Sequence, residues 1–147
     1  MDLDHRKMAP PFLRESYRVP IPNGPDVLVW DLRVGQPNVT RLPDHVVHSV
    51  EHALIVYLRE HPSVVTAAPM GCATGFYVVA LGTLDFAALA DLVADALRRL
   101  IDATDVPHRN TEQCGAAEHH SLTGAQEVAR WLLSRRDDWA QALHPSA

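Results

Sequence analysis

No helix can run through the first quarter of this chain. Prolines stand at positions 10, 11, 20, 22 and 25, and another at 37; each fixes φ and removes a backbone donor. Their spacing predicts an extended arm laid over a surface, of the kind that often reaches a neighbouring subunit. One strand interrupts the pattern. "VLVWDLRV", Val27 to Val34, puts Asp31 and Arg33 on one face and Trp30, Leu32 and Val34 on the other, as a strand with one buried side requires.

Beyond the loop "GQPN" the periodicity changes. From Pro43, at a first helical position with Asp44 beside the positive helix end, to the stop at Pro62, the apolar stripe is Val47, Val50, Leu54 and Leu58, which predicts a helix. "SVVTAA" and "GFYVVALG" have strand character, and the turn "PMGCATG" joins them. Another helix is expected from about Leu84 to Ala103, on apolar positions Leu89, Leu92, Val93, Ala96, Leu97 and Leu100. "VPHRNTEQCGAAEHHS" is irregular. Thr123 with Gln126 three later forms a capping box for a last helix running through Trp131 and Trp139.

Strands and helices alternate without a regular βαβ cadence, so the expected fold class is α+β: one domain over 1–147, with helices packed on a mainly antiparallel sheet. Neither GxGxxG nor GxxxxGK[ST] occurs. At 47% hydrophobic and 21% charged residues, the chain has the composition of a water-soluble domain, and no apolar run reaches the roughly 18 to 20 residues a membrane span needs. A net charge of -5 without a basic cluster argues against a nucleic-acid partner. The charged start, Met1 to Lys7, carries no apolar leader, and the expected compartment is the cytoplasm.

Chemistry concentrates in "HSVEH". His48 and His52 stand one helical turn apart, about 6 Å along the axis, so both imidazoles can reach one ion, and Glu51 leans over the same edge as a general base. This His-x-x-Glu-His order is the inverted metalloprotease motif, although a merely solvated helix face would carry the same letters. Cys114 in "EQCG" is the leading third ligand, Gly115 allowing close approach, with Glu118 and Glu127 as rivals. Cys72, between glycines in its turn, is either a small buried residue or a thiol activated by backbone amides. Arg33 is either an edge charge or a binder of an anionic or hydroxyl-rich ligand. His119 and His120 are candidates for further ligands, but being adjacent they point apart and read rather as surface or capping residues; His45, His61, His108 and His144 read as solvated.

Taken in order, "LDH" with "APPFLR", "DLR" before "QPN", "HSVEHAL", "PMGCATGFY", "EQCG" and "HSLTGAQ" resemble the LuxS family, the S-ribosylhomocysteine lyases, over nearly the whole chain. The resemblance implies a homodimer with two active sites at its interface and one divalent metal per subunit, ferrous iron natively and often zinc or cobalt in isolated protein. It implies His48, His52 and Cys114 as metal ligands, Glu51 and Cys72 as the acid/base pair, and His5 and Arg33 as substrate contacts. The implied substrate is a thioether sugar whose carbonyl migrates along the chain before homocysteine is eliminated. That reaction would recycle homocysteine from methyl-transfer metabolism and release a signal precursor.

Three departures bear on substrate: Met1-Asp2 stands where the family commonly has Ser-Phe, Thr66 replaces an acidic residue in "DISPMGC", and Gly35 replaces a bulkier one. A paralogue acting on a related thioether sugar is the nearest alternative. An inverzincin-type peptidase, with a glutamate third ligand, and a noncatalytic metal-binding dimer are more distant ones.

Overall fold

The computed structural model describes residues 3–145. A short 3-10 turn (His5–Lys7) leads into strands β1 (Phe12–Val19) and β2 (Val27–Arg33), helix α1 (Asp44–Leu58), strands β3 (Val64–Pro69) and β4 (Gly75–Leu81), and helices α2 (Phe86–Asp102) and α3 (Leu122–Ser134). The strands form one antiparallel sheet in the order β1-β2-β4-β3. The helices cover one face, and the α+β expectation holds.

Register explains why one face is apolar. Leu28, Trp30 and Leu32 of β2 stand opposite Ala80, Val78 and Phe76 of β4, and all six are buried. Because side chains alternate along a strand, these same-face pairs make a continuous floor. Onto it pack Val50, Leu54 and Leu58 of α1, Leu89, Val93, Leu97 and Leu100 of α2, and Ala125, Ala129 and Leu132 of α3. The stripes expected for α1 and α2 are the ones buried, Leu92 only in part.

The proline-rich arm is extended, as expected, and part of it is a strand that the sequence did not announce. Its prolines bracket β1 without entering it, so Phe12–Val19 is free to pair with β2. The arm is also held by its own chain: the Ala9 N–H donates to Ala142, that of His144 to Lys7, and that of Leu13 to Trp139. Nor does β2 have an exposed side, since Asp31 and Arg33 are 3% and 4% exposed.

The last helix is corrected at both ends. Ser121, not Thr123, is the cap, its hydroxyl accepting from the Gly124 N–H at 3.0 Å. Gln126 instead reaches across to α2, donating to the carbonyls of Leu100, Ile101 and Ala103 at 3.1 to 3.2 Å. The helix ends at Ser134, and a 3-10 turn over Arg136–Asp138 returns Trp139 to the core, where its Nε1 donates to the Leu132 carbonyl.

Candidate active site

Helix α1 buries its apolar stripe, which leaves His48, Glu51 and His52 on the flank facing the irregular segment before α3. That segment supplies the thiol. His48, His52 and Cys114 bring their ligand atoms, together with one from His120, within 4.8 Å of one another. Glu118 and Glu127 are exposed and belong to no such group, so the rivalry for third ligand is decided for Cys114. Gly115 has no neighbour within 4 Å of an added Cβ and no positive φ; close approach is not the reason a glycine follows the cysteine.

Hydrogen bonds fix which imidazole nitrogens face inward. Nδ1 of His48 lies 2.7 Å from the His119 carbonyl oxygen, and Nδ1 of His52 lies 2.8 Å from that of Pro107. A carbonyl only accepts, so each Nδ1 carries the hydrogen and each Nε2 presents a lone pair to the cluster. The neutral donors and the thiol suit a borderline or soft divalent ion such as zinc or ferrous iron. No disulfide or ion pair competes for these groups among the described residues.

Of the two readings the sequence offers for His120, further ligand or surface and capping residue, the structure overturns the favoured second one by placing it in the ligand group. It is half-buried in the cluster, its ring stacked on His48 at 3.9 Å between centroids. Burial, then the neighbouring imidazoles, push its pKa down to about 4, so at neutral pH it is uncharged. His119 does stay outside the ligand group. His61 is also not simply solvated: half-buried, its Nδ1 accepts from the Ser63 N–H.

The second centre lies at the turn between β3 and β4. Arg33 makes a two-pronged pair with Asp31, at 3.0 and 2.7 Å, and donates its third nitrogen to Thr74 Oγ1 at 2.8 Å. Thr74 is buried; its oxygen accepts from Arg33 and lies 3.0 Å from Cys72 Sγ, and toward an ionised Cys72, which can only accept, its hydroxyl is the donor. Burial opposes ionisation of Cys72, but the hydroxyl and N–H of Thr74 and the Arg33 charge outweigh it, holding the thiol below its ordinary range. Cys72 is exposed rather than buried, and the flanking glycine is not strained. Instead Ala73 takes the left-handed conformation, at φ 56°. Gly75 is needed for another reason, since a Cβ there would lie 2.5 Å from the Leu32 carbonyl oxygen.

The two centres open on different clefts of one chain. Cys72 and His5 line one of about 480 Å³, with Thr74 and Asn38. Glu51 and His48 line another of about 380 Å³, with Gly71 and Ala73. Arg41 borders both. Arg33 lines a third cleft, again with His5. Gly35 has a structural reason to lack a side chain, since a Cβ would fall 2.5 Å from the Thr40 carbonyl oxygen. Thr66 is half-buried on β3, outside these clefts; Met1-Asp2 lies outside the described residues.

Thr74 and Ser49 escape the sequence reading, and His120 enters it only as the weaker of its two readings. Thr74 had a signal: it stands two residues after Cys72, next to the start of a strand. Ser49 had only its position between the two histidine ligands.

A three-helix, four-strand α+β fold with a His/His/Cys metal site between its first long helix and the irregular segment before its last defines a small metalloprotein class, and comparison with known proteins is decisive within it. The family model for S-ribosylhomocysteinase (LuxS) matches residues 1–143. The chain is 37% identical over 143 residues to the S-ribosylhomocysteine lyase of Halobacillus halophilus, covering 97% of this chain and 94% of that protein. It is 38% identical to that of Dichelobacter nodosus (97% and 93% covered) and 36% identical to one from Helicobacter pylori (95% and 91%). The chain belongs to the LuxS family.

Proposed function

We propose that the protein is a metal-dependent carbon-sulfur lyase that converts S-ribosylhomocysteine to homocysteine and 4,5-dihydroxy-2,3-pentanedione. The observation that carries this reading is the convergence of His48, His52 and Cys114 in a chain similar over its full length to S-ribosylhomocysteine lyases. The thioether sulfur cannot leave while the sugar carbonyl is at C1. The carbonyl has to move to C2 and then C3, each move taking a proton from one carbon and returning one to its neighbour.

A divalent ion, ferrous iron in the native protein and zinc or cobalt as substitutes, supplies Lewis-acid polarisation of the sugar oxygens. Protons are the business of the chain. Cys72, ionised with the help of Thr74 and Arg33, takes and returns protons at carbon, and Glu51, whose carboxylate joins no ion pair among the described residues, moves those of the oxygens. With the carbonyl at C3, removal of the C4 proton expels the sulfur from C5 as homocysteine. His5 and Arg33 contact substrate in this reading, and the two clefts are completed in a homodimer.

The test is free-thiol release from S-ribosylhomocysteine by protein loaded anaerobically with ferrous iron. Release above a metal-free control is expected, and its absence overturns the reading. Cys114→Ala should lose the metal, whereas Cys72→Ala should keep it and lose thiol release; a peptidase or a noncatalytic metal protein would tolerate the second change. Thr66, in place of an acidic residue, favours a related thioether sugar as the second reading, supported if such a sugar is turned over faster.

A further inference from the structure

We propose that the hollow between α3 and the loop after β2 is a second small-molecule site, shaped for an organic ammonium ion with an apolar body and felt, when occupied, at Cys72. Neither the metal nor the sugar enters this inference, so it stands or falls apart from the lyase reading. It begins with Glu127, which the metal centre leaves without a task. Glu127 and Trp131 stand one turn apart on α3, with Val128 beside them, on the flank next to the buried stripe of Ala125, Ala129 and Leu132. Opposite lie Pro10 of the arm and Val34 and Leu42 of the loop. The space between is about 370 Å³, within the range that small ligands fill.

Its lining selects the ligand. Pro10, Val34, Leu42 and Val128 make walls of hydrocarbon, and Trp131 adds an indole left 38% exposed. Glu127 is the one charged side chain among the described residues that line the space, and no ion pair engages its carboxylate among them. A neutral apolar molecule fills the hollow but leaves that charge unanswered, and an anion is repelled by it. An ammonium ion with a hydrocarbon body meets all three features: its charge lies by the carboxylate and the electron-rich indole face, and its body replaces water on the walls. The net charge of -5 favours the approach of a cation as well.

The other side of the loop holds the Cys72 turn. The N–H groups of Val34 and Gly35 both donate to the Thr74 carbonyl at 2.9 Å, and that of Leu42 donates to the Ala73 carbonyl at 3.0 Å. Thr40 borders this hollow and the Cys72 cleft alike. A molecule seated against Val34 and Leu42 therefore bears on the backbone that brackets Cys72, which couples its binding to the reactivity of that thiol.

The experiment titrates zinc-loaded, 15N-labelled protein with benzyltrimethylammonium, benzyl alcohol and benzoate while following the indole N–H signals by NMR, that of Trp131 being identified by its loss in Trp131→Phe. The ammonium probe should shift the Trp131 signal to saturation, the alcohol should bind more weakly, and benzoate should leave the signal in place. Glu127→Gln, a change at an exposed position, should weaken the ammonium roughly three- to tenfold. The rate of Cys72 alkylation by iodoacetamide should differ between free and saturated protein. Equal affinity for alcohol and ammonium, or no shift with any probe, overturns the site. A Trp131 signal that moves on dilution instead shows a second copy of the chain covering this face and overturns it too. An alkylation rate unchanged at saturation overturns the coupling to Cys72. The comparison of the three probes in unaltered protein decides the matter even if the Glu127 variant does not fold.

Discussion

At the scale of single residues, the most telling group is the one that links an ion pair to a thiol. Asp31 holds Arg33, Arg33 donates to Thr74, and Thr74 donates to an ionised Cys72. Replacing Thr74 by valine keeps the shape and removes that donor, so the Cys72 thiol should ionise less readily. The sign is clear: a thiol held below its ordinary pKa is active to lower pH, and losing a stabilising donor raises the pKa. The pH profile of Cys72 alkylation by iodoacetamide should move to higher pH in Thr74→Val, with the acid limb of activity moving in the same direction. An unmoved alkylation profile would count against the Thr74 assignment. Arg33→Lys should act likewise, because a lysine cannot hold Asp31 with two donors and Thr74 with a third.

Among elements, the junction of α2 and α3 carries the residue types of a capping box but divides their work between two helices. A serine or threonine followed by glutamine signals a helix start, and a helix does start there, but Ser121 provides the cap while Gln126 satisfies carbonyls at the end of α2. Sequence spacing cannot reveal a partner more than twenty residues away. Gln126→Ala removes those bonds and should cost about 1 kcal/mol, lowering the melting temperature by roughly 2 to 4 °C for a chain of this size. Ser121→Ala should cost a similar amount, about 1 kcal/mol, as the loss of a helix cap. Calorimetry of both variants checks the pair. The helices and central strands were legible because a period of 3.6 or 2 is written into single segments. Strand β1 was not, since its prolines flank it and its pairing is with β2.

For the whole molecule, the ligands His48, His52 and Cys114 were legible as residue types, and the separation of Cys72 from Glu51 into two clefts was not. Which side of a turn a residue faces depends on tertiary packing that no spacing encodes. In a dimer whose sites combine the Cys72 cleft of one subunit with the Glu51 cleft of the other, complementation is expected. Mixed dimers of Cys72→Ala and Glu51→Gln would then contain one site with both changes and one with neither. Refolding the two inactive variants together should therefore restore thiol release to a substantial fraction of the unaltered level. No recovery, with dimers present by sedimentation, would place both groups in one subunit's site.

The carbonyls that brace His48 and His52 have a mechanical meaning as well. They belong to His119 and Pro107, and Cys114 lies between them in sequence, so α1 grips the long irregular segment at three points through a single centre. In a chain whose cysteines are both free, the ion does the work of a cross-link, closing a loop of more than fifty residues. Its removal should therefore be felt as loosened chain as well as lost chemistry. Chelator-treated protein should be cut first between 104 and 119, at sites that the loaded protein protects, with the sheet and its helices still intact.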